Sequence, residues 1–274
     1  MLRVTSFTFA CGKSQVSDYD FFMGSRKIQH LKIMTYNIHY GIGQDRVYKL
    51  DRIIDVIKSE NPDVVALQEV DENMPRSEFD DQPKIIADNL NMYFHYSVNW
   101  CVGRGKFGLA TFSKFPILEN VRHDLSFCPR LKWRFRPRGT LRTDIGLGSA
   151  CLHVFNLHLG LGVRERIHQR RKLLSQSILL DQGLEHPVAL VGDFNDRPIS
   201  VVHSQLRDHF SDAFNLSGNK KDGATFYWGP LKLKLDHIYL SNQLLPVETR
   251  IVNTPLSRIA SDHRPLISRV EVKV

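Results

Sequence analysis

Two stretches of the chain repeat one order of apolar and polar positions. Each begins with an apolar run, 31–38 or 149–157, continues with a segment of helical spacing, and ends with a second apolar run, 63–70 or 187–192. Apolar runs of strand length on both sides of an amphipathic segment are typical of βαβ units, whose two strands are parallel. The pattern therefore predicts two βαβ units. Further strands are predicted at 92–98, 107–113, 233–240 and 267–274, and further helices at 83–90 and 199–210.

Polar side chains follow these apolar runs at their predicted carboxyl ends. The residues are Asn37, Glu69, His158, Asp193 and Asn195. Since the carboxyl ends of parallel strands lie at one edge of a sheet, and ligands of open α/β sheets bind there, we expect these side chains to converge. A single polar residue at a strand end is better explained as a cap or a turn former. Five of them in two matching units favour a functional site.

Length and composition predict one large domain. The chain has 274 residues, of which 42% are apolar, and no linker of Pro, Gly and Ser divides it. We assign 31–274 to this domain and 1–30 to an irregular or partly disordered N-terminal extension. No apolar run reaches the roughly 18 residues of a transmembrane segment. The four cysteines are widely spaced without a Cys-x-x-Cys pair, which favours a reducing, cytoplasmic compartment over a disulfide or zinc framework.

The charge is basic, and one segment concentrates it. A formal net charge of +8 suits an anionic partner such as nucleic acid, phospholipid head groups or a phosphorylated small molecule, without choosing among them. In the segment 130–142, cations alternate with apolar residues: Lys132, Arg134, Arg136 and Arg138. If the segment is extended, these four side chains share one face. A bound polyanion or acidic side chains from elsewhere in the fold would both relieve their repulsion.

The candidate site residues have the chemistry of a metal-assisted phosphoesterase. Together with the strand-end set, they include Asp236, Asp262 and His263. Carboxylates that converge on one edge repel one another unless a cation lies among them. Oxygen ligands without cysteine favour Mg²⁺ or Mn²⁺ over zinc, and the histidines are available for proton transfer or phosphate contact. A metal, an activated water and donors around an anion are the parts that phosphoester hydrolysis requires.

Six short motifs in order give the chain a family resemblance. They are Thr35-Tyr36-Asn37-Ile38, Leu67-Gln68-Glu69-Val70, Asn156-Leu157-His158-Leu159, Gly192-Asp193-Phe194-Asn195, Leu235-Asp236-His237-Ile238 and Ser261-Asp262-His263-Arg264-Pro265-Leu266. From about Lys32 to its end the chain resembles the endonuclease/exonuclease/phosphatase superfamily, which includes deoxyribonucleases, sphingomyelinases and inositol polyphosphate 5-phosphatases. The resemblance implies an α/β (α+β) four-layer sandwich, in which two packed mixed sheets are flanked by helices.

The resemblance also implies a metal site. Glu69 would be the principal ligand of Mg²⁺ or Mn²⁺, assisted by Asn37 and Asp262.

Five further residues would carry out the catalysis. Asp193 would orient or deprotonate the attacking water, and Asn195 would hold this water or a phosphate oxygen. His263 would contact the phosphate or serve as the base, oriented by Asp236. His158 would face the phosphate from the other side.

The substrate is the open part of the resemblance. Abasic-site enzymes of the superfamily have tyrosine where this chain has His158 and His237, so the match is better with the deoxyribonuclease, sphingomyelinase and phosphatase branches. We expect Arg134, Arg136 and Arg138 to bind substrate, either DNA or anionic lipid. The basic charge slightly favours a nuclease over a phospholipid or small-molecule phosphodiesterase or phosphatase.

An alternative function and the possible binding partners also follow from the sequence. A non-catalytic anion-binding module is the alternative of another class, and no protein partner is inferred. No apolar hairpin suited to membrane insertion is evident, and the aromatic segment 225–230 is expected to pack rather than to bind.

Overall fold

The computed structural model describes residues 29–128, 136–218 and 223–272. The strands are β1 Gln29–Asn37, β2 Val64–Glu72, β3 Tyr93–Val102, β4 Gly105–Ser113, β5 Ile117–Asp124, β6 Gly139–Leu147, β7 Ala150–His158, β8 Val188–Asp193, β9 Ser211–Asp212, β10 Phe226–Trp228, β11 Leu231–Leu233, β12 Asp236–Leu240, β13 Leu244–Ile251 and β14 Leu266–Val272. The helices are α1 Leu50–Glu60, α2 Gln82–Leu90, α3 Val163–Leu173, α4 Val201–Leu206, α5 Ala213–Leu216 and α6 Pro255–Ala260.

Two six-stranded mixed sheets form the centre of the molecule. Their orders are β13-β14-β1-β2-β4-β3 and β5-β6-β7-β8-β12-β9. The pairs β1–β2 and β7–β8 are parallel, and the neighbouring pairs are antiparallel. Both predicted βαβ units are therefore confirmed, as β1–α1–β2 and β7–α3–β8.

Three apolar layers hold the sandwich together. One lies between the sheets and includes Ile33 and Val191. A second packs α1 on the first sheet and includes Met34, and a third packs α3 on the second sheet and includes Phe155. Adjacent residues of a strand point to opposite faces, so Ile33 and Met34 contribute to different layers. Helix, sheet, sheet and helix confirm the predicted four-layer sandwich.

A buried polar network links the two sheets beneath the edge that carries the predicted site residues. Gln68 Nε2 on β2 donates to Asn156 Oδ1 on β7 at 2.8 Å. Asn156 Nδ2 donates to the carbonyl oxygens of Leu67 and Ala110, both at 3.0 Å. Because buried amides are costly unless their hydrogen bonds are formed, this network fixes the register of one sheet on the other. Gln68 precedes Glu69, and Asn156 lies two residues before His158, so the network also positions the site.

Element boundaries differ from the predicted ones at several places. The first strand begins at Gln29, inside the segment assigned to an extension, whereas 1–28 lie outside the described residues. The helix predicted at 199–210 extends only over Val201–Leu206.

The strand predicted at 233–240 is two strands, β11 and β12. The backbone between them is drawn out of the sheet, because the amides of Leu235 and Asp236 donate to Thr225 Oγ1 at 3.0 and 3.1 Å.

Among the helices of the described ranges, none has the length and apolar character of a membrane-spanning segment.

Candidate active site

A cavity of about 590 Å³ opens at the edge where β7 and β8 end, beside an irregularity of β2 at Glu69. Its lining combines acids, histidines, arginines and apolar side chains. These are Tyr40, Glu69, Arg136, Arg138, His158, Leu161, Glu165, Asp193, Asn195, Phe226, Trp228, Leu233, Leu235, Asp262 and His263. Converging acids and histidines in a concave site are the expected composition of an active site.

Glu69 is presented to the cavity by an irregularity of β2. The pairing of β2 with β4 shifts between Gln68 and Val70, and Glu69 adopts a positive φ of 58°. A bulge of this kind redirects a side chain and is common beside active sites. Asn37 Nδ2 donates to Glu69 Oε1 at 3.3 Å, whereas Glu69 Oε2 is buried without a hydrogen-bond partner among the described residues. One carboxylate oxygen is therefore available for a further ligand.

The Asp193 carboxylate lies at the centre of the site. Its Oδ1 accepts from the amide of Asn195 at 2.8 Å, and its Oδ2 accepts from Asn37 Nδ2 at 3.0 Å. Nε2 of His158 and Nε2 of His263 lie 3.5 and 3.7 Å from the same Oδ2. Burial raises the pKa of Asp193 to about 7, although the charge of His263 opposes this rise. A carboxyl group with such a pKa can exchange a proton near neutral pH.

His263 is held as an imidazolium by two acids. Its Nδ1 lies 2.7 Å from Asp236 Oδ2. Burial by itself lowers the pKa of His263, but the carboxylates of Asp236 and Asp193 outweigh it and raise this pKa to about 10. Asp236 is fully buried behind the histidine. The pair therefore presents a positive N–H group to the cavity from one side of Asp193.

His158 is held in the opposite state by an arginine. Arg138 Nη1 lies 2.9 Å from His158 Nδ1. A guanidinium only donates hydrogen bonds, so Nδ1 must accept and Nε2 must carry the hydrogen. Burial, together with the charges of Arg138 and His263, lowers the pKa of His158 well below its usual value. His158 is thus a neutral donor whose Nε2 lies 3.8 Å from Glu69 Oε1 and 3.5 Å from Asp193 Oδ2.

The donor set fits a hard divalent cation. Glu69 has an unpaired buried oxygen, and Asp262 lines the same cavity. Carboxylate oxygens such as those of Glu69 and Asp262 are ligands that Mg²⁺ and Mn²⁺ prefer. Asn37 directs Nδ2 to the two acids, and its Oδ1 accepts from the amide of His39 at 3.0 Å.

A second cluster could in principle hold a metal. The ligand atoms of Asp193, Asp236 and His263 lie within 4.8 Å of one another. We interpret this cluster as an acid–histidine pair beside an acid, because an imidazolium has no lone pair for a metal.

Residues 34–263 match the Endonuclease/Exonuclease/phosphatase family. The chain belongs to this family. Members of the family are hydrolases that act on phosphoester bonds.

The chain is similar in sequence to a curated protein and in structure to several solved proteins. The chain is 28% identical over 210 residues to an inositol phosphosphingolipids phospholipase C of Schizosaccharomyces pombe, and the match covers 68% of the chain and 46% of that protein. The chain thus spans about half the length of this curated relative. A family structure from Beutenbergia cavernae superimposes with a TM-score of 0.72 at 22% identity, over 89% of this chain and 72% of that one. ANGEL2, a 2′,3′-cyclic phosphatase, superimposes with a TM-score of 0.71 at 17% identity, over 90% and 97%.

The structure brings most of the predicted site residues of this family member together. The acids and histidines surround the cavity, with Asn37 bonded to two of the acids and Asp236 behind His263. Asn195 bonds through Nδ2 to the carbonyl oxygen of Leu159 at 2.9 Å. The catalytic and metal-binding roles of these residues stay predictions.

The predicted basic face is divided among different environments. Arg134 lies outside the described residues. Arg136 is exposed at the cavity, with its guanidinium 5.2 Å from the Trp100 ring centroid. Arg138 also lines the cavity but is buried and bonded to His158. Within the described part of the segment, Arg136 and Arg138 therefore occupy different environments.

Sequence reasoning missed residues on two sides of the cavity. Tyr40 lies on one side, with the Arg76 guanidinium 3.3 Å from its ring centroid. Glu165, in the first turn of α3, is buried and accepts from Gln169 Nε2 at 3.3 Å. The glycines that follow Tyr40, at 41 and 43, and those that precede Glu165, at 160 and 162, indicate tight loops but not which side chain turns inward.

The aromatic segment 225–230 also differs from the prediction. Phe226 and Trp228 line the cavity, and Trp228 is 74% exposed. It lies on the two-stranded hairpin β10–β11, opposite Leu231, which is also exposed. The expectation that this segment only packs is therefore wrong for Trp228, because the hairpin holds its side chain away from the core. The expectation that no apolar hairpin is evident is wrong as well.

Proposed function

We propose that the chain hydrolyses the phosphodiester bond of a membrane phospholipid, in the manner of a phospholipase C, and releases a phosphorylated head group. The proposal rests on the lining of one cavity, which combines charged and apolar side chains. Acids and two differently charged histidines line it together with an apolar wall formed by Leu161, Phe226, Trp228 and Leu233. Nucleic acid is bound chiefly through cations on its phosphates, whereas an apolar wall suits a substrate with a hydrocarbon part.

The relative from Schizosaccharomyces pombe supports the lipid class, because its name assigns it a phosphosphingolipid substrate. The expectation of a nuclease rests on net charge alone, so we favour a lipid substrate over nucleic acid. A positive charge serves an anionic membrane equally well.

The side chains have the following proposed roles. Asp193 accepts a proton from the attacking water, whose oxygen forms the new bond to phosphorus as the bond to the lipid oxygen breaks, and the departing lipid oxygen takes up a proton from solvent to leave as the alcohol. Asn195 orients that water. His263 neutralises the developing charge on the phosphate from one side, and the Nε2–H group of His158 donates to it from the other. Mg²⁺ or Mn²⁺, held by Glu69 with Asn37 and Asp262, would supply further positive charge at the phosphate.

A substrate panel tests the proposal. Purified protein with Mg²⁺ or Mn²⁺ is assayed on sphingomyelin, phosphatidylinositol phosphates, supercoiled plasmid and a soluble chromogenic diester, each with a chelator control. We expect chelator-sensitive release of phosphorylated head groups, which Asp193→Ala abolishes while the far-ultraviolet circular dichroism stays unchanged. Plasmid nicking without lipid turnover would support the nuclease instead and contradict the proposal.

The metal site has a separate readout. Calorimetric titration with Mn²⁺ should show binding to the wild type and at least about tenfold weaker binding to Glu69→Gln, since this change removes the charge of the principal ligand. Glu119→Gln is the matched control, because Glu119 lies on β5 and pairs with Arg142 away from the cavity. Equal affinities of wild type and Glu69→Gln would contradict the ligand assignment.

A further inference from the structure

Large apolar side chains are exposed around the mouth of the cavity. Leu161 and Trp228 line it and are 76% and 74% exposed. Leu231 is paired with Trp228 across the β10–β11 hairpin, and residues directly opposite each other in an antiparallel pair project from the same face. Val163, two residues after Leu161, is also exposed. Exposed apolar side chains grouped around a site indicate an interaction surface, whereas isolated ones need no explanation.

This apolar surface continues into a neighbouring cavity. Leu233 lines both the catalytic cavity and a second cavity of about 570 Å³. The second cavity is also lined by Tyr227, Lys232 and Ile199, and Ile199 is 85% exposed. We call the exposed apolar set Leu161, Val163, Ile199, Trp228 and Leu231 the apolar rim.

The charges within these segments have one sign. The stretches 159–164, 197–201 and 226–235 contain no Asp or Glu. They contribute the exposed cations Arg164, Arg197 and Lys232 beside the apolar rim, and Arg136 lies at the catalytic cavity. Apolar side chains that enter the boundary between head groups and acyl chains, together with cations that meet lipid phosphates, are the features of an interfacial surface.

We propose that the apolar rim docks the protein on an anionic phospholipid membrane and thereby places the cavity mouth against the head groups. The occupant is a lipid surface, because exposed apolar groups and cations occur together in the segments that line the two cavities, one of which leads to the acids and histidines. The choice of substrate rests on the proposed function, but docking itself requires no turnover. A docked rim lets a lipid head group enter the cavity while its acyl chains stay in the bilayer.

Vesicle sedimentation in the presence of a chelator tests docking without hydrolysis. The full chain is mixed with phosphatidylcholine vesicles prepared with and without phosphatidylserine. The test variant is Ile199→Ser with Leu231→Ser, since neither side chain lines the catalytic cavity. The matched control is Leu118→Ser, because Leu118 is similarly exposed on β5 and lines neither cavity.

The wild type should sediment with the vesicles that contain phosphatidylserine. The double variant should partition about tenfold more weakly, because two apolar side chains no longer enter the interface. Leu118→Ser should sediment like the wild type, and all three proteins should hydrolyse a soluble diester equally. Failure of the wild type to sediment, or equal loss in the double variant and the control, would overturn the proposal.

Docking and the proposed function fail separately. Turnover of lipid in mixed detergent micelles without vesicle binding would overturn docking alone. Vesicle binding that depends on Ile199 and Leu231, without turnover of any lipid, would support docking and contradict the proposed function.

Discussion

The two histidines on either side of Asp193 lie equally deep but in opposite electrostatic environments. His263 is backed by a carboxylate, Asp236, which holds it as a cation. His158 is backed by a guanidinium, Arg138, which holds it neutral and fixes its Nε2–H tautomer. The difference shows that the residue behind a histidine, more than the histidine itself, determines whether it supplies charge or a directed hydrogen bond.

Removal of the charged histidine should have the largest effect. We expect His263→Ala to lower kcat by about 10³-fold or more, since it deletes the positive group that we propose faces the phosphate. Steady-state kinetics on a soluble diester measure the change. His123→Ala is the control, because His123 lines a cavity outside the site. A kcat within a few-fold of the wild type would remove His263 from the catalytic set.

Loss of the carboxylate behind His263 should have the next largest effect. Asp236→Asn should lower kcat by roughly 10²-fold, because the imidazolium loses its buried counter-charge. The raised pKa of His263 stabilises the fold below the usual histidine pKa, and this contribution disappears as the pH rises through about 10.

The variant should therefore be less stable than the wild type at neutral pH, and the difference should shrink at alkaline pH. Urea unfolding at several pH values measures it. A difference that grows with pH would contradict the charge assignment.

Loss of the arginine behind His158 should have a smaller effect. Arg138→Met should lower kcat by about 10- to 100-fold with little change in KM, because His158 then exchanges between tautomers and its pKa rises towards the usual value. Arg138→Lys, which retains a donor and a charge, should recover part of the activity. A purely structural arginine would instead affect both variants equally and would leave the pH profile of kcat unchanged.

The neighbouring Arg136 should show the smallest effect and thus separates the two arginines. Arg136→Glu should weaken binding to anionic vesicles and spare turnover of a small soluble diester, since Arg136 is exposed at the mouth. Co-sedimentation and kinetics on the same preparation check this. Equal loss on both would assign Arg136 to the catalytic centre.

The sequence predicted the parts of this account that depend on local pattern. Asn37, Glu69, His158 and Asp193 end apolar runs, and parallel strands bring such ends together. The four-layer sandwich and the convergence of the acids could therefore be predicted.

The remaining features depend on contacts between distant segments. Arg138 reaches His158 only because β6 returns beside β7 with Thr140 opposite Leu157. The alternation of cations around Arg138 predicts a common face. It does not predict that Arg138 is buried while Arg136 is exposed. The exposure of Trp228 follows from a hairpin that begins next to Thr225, whose Oγ1 accepts hydrogen bonds from two backbone amides. The periodicity of the sequence does not reveal these hydrogen bonds.

The ring ¹⁵N chemical shifts of the histidines, measured by NMR at neutral pH in the presence of a chelator, test the central claim most directly. His158→Gln and His263→Gln assign the two signals. We expect His263 to carry hydrogen on both ring nitrogens and His158 to be neutral, with its hydrogen on Nε2. Two rings in the same protonation state, or a His158 with its hydrogen on Nδ1, would contradict this claim.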